Sequence, residues 1–127
     1  MDKEQMTTVS TRIPVLNAII FVRDPTSGPC PEPDDEGEVW ATRTCIAIGT
    51  LPDSEGDTEI VLGQLDRVGS KLSLLFEGPL ATPSREVVVQ IVPGETILST
   101  KVAGPTSRVR VWTTGLPASD RVVIEAD

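Results

Sequence analysis

Prolines and glycines interrupt this chain so often that a long helix has nowhere to form. Eleven prolines and ten glycines are spread over 127 residues, and the segments between them are short and rich in Val, Ile and Thr. Proline removes a backbone donor, glycine favours turns, and β-branched side chains fit a pleated surface. No stretch of about ten or more residues repeats its apolar positions every 3.6 residues, whereas several alternate with a period of two.

The alternating runs can be placed one by one. Residues 13–22 read as a first strand after a frayed start over 1–11. Residues 38–48 read as a second, with Trp40, Thr42, Thr44 and Ile46 on one face and Val39, Ala41, Arg43 and Cys45 on the other. Runs at 58–65 and 71–76 follow, and then a turn region over 77–84 marked by Gly78–Pro79 and Pro83. Residues 85–92 and 95–102 flank Pro93–Gly94, a type II turn pattern that predicts an antiparallel pair with a bulge beside the turn. In 107–113, Val109 and Val111 face one side and Arg108, Arg110 and Trp112 the other. A last strand is expected over 121–125. About eight short strands, spaced roughly 8–15 residues apart, predict an all-β, antiparallel β-sandwich, with a small β-barrel as the alternative. The length suits a single domain over 1–127.

Charge is the second constraint. The formal net charge is −8, and it is concentrated: from Asp24 to Asp66 there are eleven acids and one base, Arg43. Two loops carry most of it. The loop over 24–38 contains Pro25, Pro29, Pro31 and Pro33, and its prolines and like charges predict mobility. The second loop covers 49–57. Glu32, Asp34, Asp35, Glu36 and Glu38 in the first, with Asp53, Glu55, Asp57 and Glu59 in and beside the second, are the candidate partner-facing residues. A field of this sign repels phosphates and steers basic partners inward. The face Arg108, Arg110 and Trp112 is a further candidate, because Trp and Arg are enriched at interfaces. Trp40 is expected in the core, as large aromatics usually are.

Most catalytic chemistry is closed to these residues. With no histidine in the chain, the usual neutral-pH base, Ser–His and Cys–His nucleophiles and His-containing zinc sites are all excluded. The second acidic loop departs from a calcium-binding EF-hand at Thr58 and Gln64, where Gly and Glu are needed. Carboxylate-only glycoside hydrolysis lacks aromatic platforms. No metal, cofactor or nucleic acid is therefore expected, and no enzyme. No apolar run is long enough to cross a membrane as a helix, and the start of the chain lacks the features of a secretory signal. A cytoplasmic setting follows. The spacing of Cys30 and Cys45 allows a disulfide without specifying one, and that setting favours two thiols: Cys45 as a buried small hydrophobe and Cys30 exposed in its loop.

The order of features resembles the competence-type nuclease inhibitors, competence protein J and its relatives. The likeness lies in a first strand, an acidic loop, a Trp opening a strand (EVWATRTCIAI), an acidic turn leading into a strand (DSEGDTEIVL) and the segment REVVVQIVPGETILST. It covers most of the chain as a layout, and departs where strand-like residues follow the Trp in place of a turn and helix-like segment. The resemblance implies a β-sandwich whose acidic loops bind the basic cleft of a nuclease or toxin. Two functions are thus open. One is a non-enzymatic protein-binding domain, an acidic inhibitor or immunity-type protein with a basic partner. The other is an assembly module that self-associates through sheet edges or the Arg108, Arg110 and Trp112 face.

Overall fold

The computed structural model describes residues 8–26, 30, 38–63, 72–92, 94–114 and 120–127. The strands among them are β1 (Val9–Ile13), β2 (Ile19–Arg23), β3 (Val39–Ala41), β4 (Cys45–Gly49), β5 (Thr58–Leu62), β6 (Ser73–Ala81), β7 (Glu86–Ile91), β8 (Glu95–Lys101), β9 (Thr106–Thr113) and β10 (Arg121–Ala126). They form two five-stranded sheets, ordered β1-β5-β10-β9-β6 and β3-β4-β2-β7-β8. Neighbours run antiparallel except β5 and β10, which are parallel. The expected sandwich is what forms. Ile20, Val22, Ile46, Ile48, Val87 and Val89 of one sheet and Ile60, Leu62, Val109, Val111, Val122 and Ile124 of the other are all fully buried in one cluster. The core is aliphatic, as the scarcity of aromatics requires.

Ten strands stand where about eight were expected, because two runs are broken. Residues 13–22 split at Pro14 and Asn17. A 3-10 turn, Leu16–Ala18, carries Asn17 and Ala18 at φ of 61° and 55°, and the chain leaves one sheet for the other there. Asn tolerates this left-handed conformation better than most residues. Residues 9–11, expected to fray, instead belong to β1 and pair with β5, Val9 opposite Leu62 and Thr11 opposite Ile60. Residues 38–48 split into the β3–β4 hairpin. The Thr42 hydroxyl accepts from the Thr44 N–H at 3.3 Å, and the Thr42 N–H donates to the Cys45 carbonyl at 2.9 Å. Threonine side chains that bond nearby backbone compete with strand pairing in this way.

The reversal flips the faces expected of this segment. Ile46 enters the core, whereas Trp40 stands opposite Ala47 on the outer face, half-buried. Val39 takes the core side of β3. Trp40 is therefore not a core residue.

Conversely, β6 runs straight through Gly78 and Pro79, read from sequence as a turn. It is an edge strand, with Pro79 opposite Arg108, and an edge tolerates a residue with no N–H to donate. The β7–β8 pair is antiparallel with its bulge after Val89. Pro93 lies outside the described residues, and Gly94 donates to the Ile91 carbonyl at 2.6 Å.

Candidate functional site

One end of the sandwich collects acidic side chains. At the exit of β4 the Gly49 N–H donates to the Glu38 carbonyl at 2.8 Å. The last residue of the proline-rich acidic loop is thereby fixed beside the root of the second acidic loop. That second loop is held at its start by Thr50, whose N–H donates to the Ala18 carbonyl at 2.9 Å. It then makes a 3-10 turn, Asp53–Glu55, that packs against Leu16–Ala18. Gly56 follows at φ 137°, which a side chain would oppose. Asp53, Glu55 and Asp57 are exposed, and among the described residues none of the three meets a base or a side-chain donor. Leu16, 49% exposed, lies on the neighbouring turn.

Glu59, two residues after Asp57, is paired where the loop residues are not. It sits on the outer face of the β1-β5-β10-β9-β6 sheet, 3.2 Å from Arg121, where it pairs charge across strands. Glu32, Asp34, Asp35 and Glu36 lie outside the described residues.

The Arg108, Arg110 and Trp112 face is a self-satisfied ladder. The Nε–H groups of Arg108 and Arg110 both donate to Glu77 Oε2, at 2.8 and 3.0 Å. The Arg108 hydrogen bond is the largest influence on Glu77, and with Arg110 it holds that carboxyl below the usual glutamate range. The Trp112 indole donates to Glu125 at 2.9 Å, and its ring stands opposite Val123, which is buried although it faces away from the core.

The opposite end shows a residue that charge counting missed. Asp24, placed by sequence in the acidic stretch, is fully buried. Its Oδ1 accepts from the Thr26 N–H and hydroxyl at 2.7 and 2.6 Å, and its Oδ2 accepts from the Ser84 N–H and hydroxyl, both at 2.7 Å. Burial pushes this carboxyl up, but the four hydrogen bonds outweigh it and hold it below the ordinary range. Asp24 thus ties the exit of β2 to the β6–β7 turn. The local half was legible: Asp24-Pro25-Thr26 is an Asx-turn pattern, whose side chain bonds backbone two residues on. Around this turn Arg43, Arg85 and Lys101 are exposed.

The cysteines are the clearest correction. Cys30 and Cys45 are bonded, with a sequence separation of 15, where two thiols were expected. Cys45 is fully buried and Cys30 half-buried. Arg23 Nη1 lies 3.3 Å from the Cys30 sulfur. An open hollow of about 300 Å³ adjoins them, lined by Phe21, Arg23, Cys30, Gln90, Val92 and Gly94. The proline-rich loop, expected to be mobile, is thus pinned at Asp24 and Cys30, while its residues 27–29 and 31–37 lie outside the described residues. No group of three metal-ligating side chains occurs among the described residues, and no helix among them is long and apolar enough to cross a membrane.

No family model matches the chain, and no curated protein matches it in sequence. Two solved structures share its fold. ComJ from Bacillus subtilis, inhibitor of the DNA-degrading activity of NucA, superposes with a TM-score of 0.70 at 14% identity, covering 97% of this chain and 98% of its own. The crocagin biosynthetic gene J protein superposes with a TM-score of 0.55 at 9% identity, covering 97% of each chain. The resemblance to the competence-type inhibitors holds at the level of fold.

Proposed function

We propose that this chain is a non-enzymatic binding protein of the inhibitor type, which takes a basic protein partner on the acidic end of the sandwich. The observation that carries this reading is the Glu38–Gly49 pairing. It joins the end of one acidic loop to the root of the other, so that Glu38, Asp53, Glu55 and Asp57 share one end with no ion pair among the described residues, while Arg12 and Arg121 stand opposite Glu59 at the start of β5. Like charges kept together repel one another, and a basic partner offsets that cost and associates faster in their field. ComJ, of the same fold, inhibits a nuclease, and a protein that handles DNA phosphates commonly carries a basic cleft. Glu32, Asp34, Asp35 and Glu36, on the segment that arrives at Glu38, extend the same surface in this proposal. The Cys30–Cys45 bond favours an oxidising setting over the cytoplasm expected from sequence.

The alternative, an assembly module using the Arg108, Arg110 and Trp112 face, has less support. Both arginines are already engaged by Glu77 and the indole by Glu125.

Capture from native lysate tests the proposal. The wild type should retain a specific basic protein at low salt and release it at high salt. The combined variant Asp53→Asn, Glu55→Gln, Asp57→Asn should lose that protein while keeping its fold. Retention of the same protein by the variant, at the same salt, overturns the acidic end as the binding surface.

A further inference from the structure

We propose that Cys30 is a thiol–disulfide exchange site for small anionic thiols, seated in the hollow on the outer face of the β3-β4-β2-β7-β8 sheet. Three observations converge there. The two sulfurs differ in access: Cys45 is fully buried, whereas Cys30 is half-buried and forms part of the wall of the hollow. An incoming thiolate reaches Cys30 first. A cation borders the disulfide. Arg23 Nη1 is 3.3 Å from Cys30 Sγ, and Arg23 stands directly opposite Cys45 in the β2–β4 register. The hollow suits a small polar molecule. Its volume of about 300 Å³ falls at the lower end of ligand-pocket sizes. The Arg23 guanidinium, beside the Cys30 sulfur, and the Gln90 amide, one N–H of which donates to Thr96 at 3.2 Å, are its polar wall toward carboxylates, and Phe21 and Val92 its apolar wall. Gly94 lies exposed at the rim, with open space where a side chain would stand.

The chemistry is an exchange with no net oxidation. The thiolate of the small thiol attacks Cys30 Sγ. A sulfur–sulfur bond forms between them as the Cys30–Cys45 bond breaks, and the bonding pair leaves with Cys45 as its thiolate, which then takes up a proton from solvent. Burial raises the pKa of the departing Cys45 thiol, and the Arg23 guanidinium, opposite Cys45 on β2, offsets this and so improves it as a leaving group. The same cation draws the carboxylates of the attacking molecule into the hollow. The product is a mixed disulfide on Cys30 and a free thiol at Cys45, which severs the covalent tie between the proline-rich loop and β4.

The test uses the folded, oxidised protein and reduced glutathione, with no protein partner present, so its outcome is independent of the acidic-end proposal. After acid quenching, mass spectrometry and peptide mapping should show one glutathione, on Cys30, with Cys45 free. An adduct on Cys45 overturns the proposal, as does a disulfide that opens only when denaturant unfolds the protein. Arg23→Gln should slow the reaction about tenfold, through the leaving group and the lost attraction together. Gln90→Glu, which leaves both cysteines and Arg23 in place, should slow glutathione several-fold relative to the uncharged thiol 2-mercaptoethanol. An unchanged ratio of the two rates in Gln90→Glu removes the hollow as the thiol's seat.

Discussion

Asp24 and the trio Asp53, Glu55 and Asp57 are the same chemistry at opposite ends of one sandwich, put to opposite uses. The Asp24 carboxylate has all its capacity taken up by four donors from two segments and never meets solvent. The trio has no described donor and faces water. An acidic residue's role is set by the donors the fold brings to it and not by the local density of charge. Asp24 belongs to the acidic stretch by count and to the framework by structure.

Asp24→Ala should lower stability by about 4 kcal/mol, since hydrogen bonds to a charged group contribute roughly 1.5–3 kcal/mol each and the loss leaves the Ser84 N–H stranded. Urea denaturation measures this, and a loss below about 1 kcal/mol would show that Asp24 does not fasten this end. Removing the disulfide with Cys30→Ser and Cys45→Ser should cost about 3 kcal/mol, the loop-closure value for a ring of this size. Acid should sharpen the contrast further. The Asp24 contribution is complete above the unfolded aspartate value of about 3.9 and fades as pH falls through the lower folded value. Thermal midpoints should therefore drop with acidification in the wild type and drop less in Asp24→Asn. At the other end, the combined Asp53→Asn, Glu55→Gln, Asp57→Asn change should move stability by no more than about 0.5 kcal/mol. Glu77→Gln should shift the denaturation midpoint least of all, because its ion pairs are solvent-screened.

The alternation of Val109 and Val111 against Arg108, Arg110 and Trp112 placed β9 from sequence alone, since a strand with one wet face records its burial in every second residue. The β7–β8 pair and its bulge were legible from Pro93–Gly94, a turn pattern set between two apolar runs. Strand breaks were harder. Pro14 and Asn17 announce the end of β1, but the period-two pattern on either side hides a change of sheet, because both halves bury apolar residues. The continuation of β6 through Pro79 depends on its being an edge, and edge position is a property of topology. At the candidate site, the acidic composition was visible, but the gathering of Glu38 with Asp53, Glu55 and Asp57 rests on a single backbone pair, Gly49 with Glu38. Ser84 reaches Asp24 across 60 residues, and no local pattern predicts a partner so distant. The Cys30–Cys45 bond was missed because compartment, the argument used for free thiols, says nothing about which residues the fold sets side by side.

The parallel pairing of β5 with β10 has a consequence for how the chain is made. The ribosome emits β1 and β5 well before β10, yet the central neighbour of β5 is that strand, which ends at Ala126. At about 5–20 residues per second, several seconds separate the two. Throughout that interval the inner edge of β5, lined by Ile60, Val61 and Leu62, waits unpaired, and an unpaired apolar edge is a template for the wrong strand. Nascent copies on one message would therefore be most prone to stick to each other in this window, and a pause in translation after β5 would lower the yield of folded protein more than the same pause after β9.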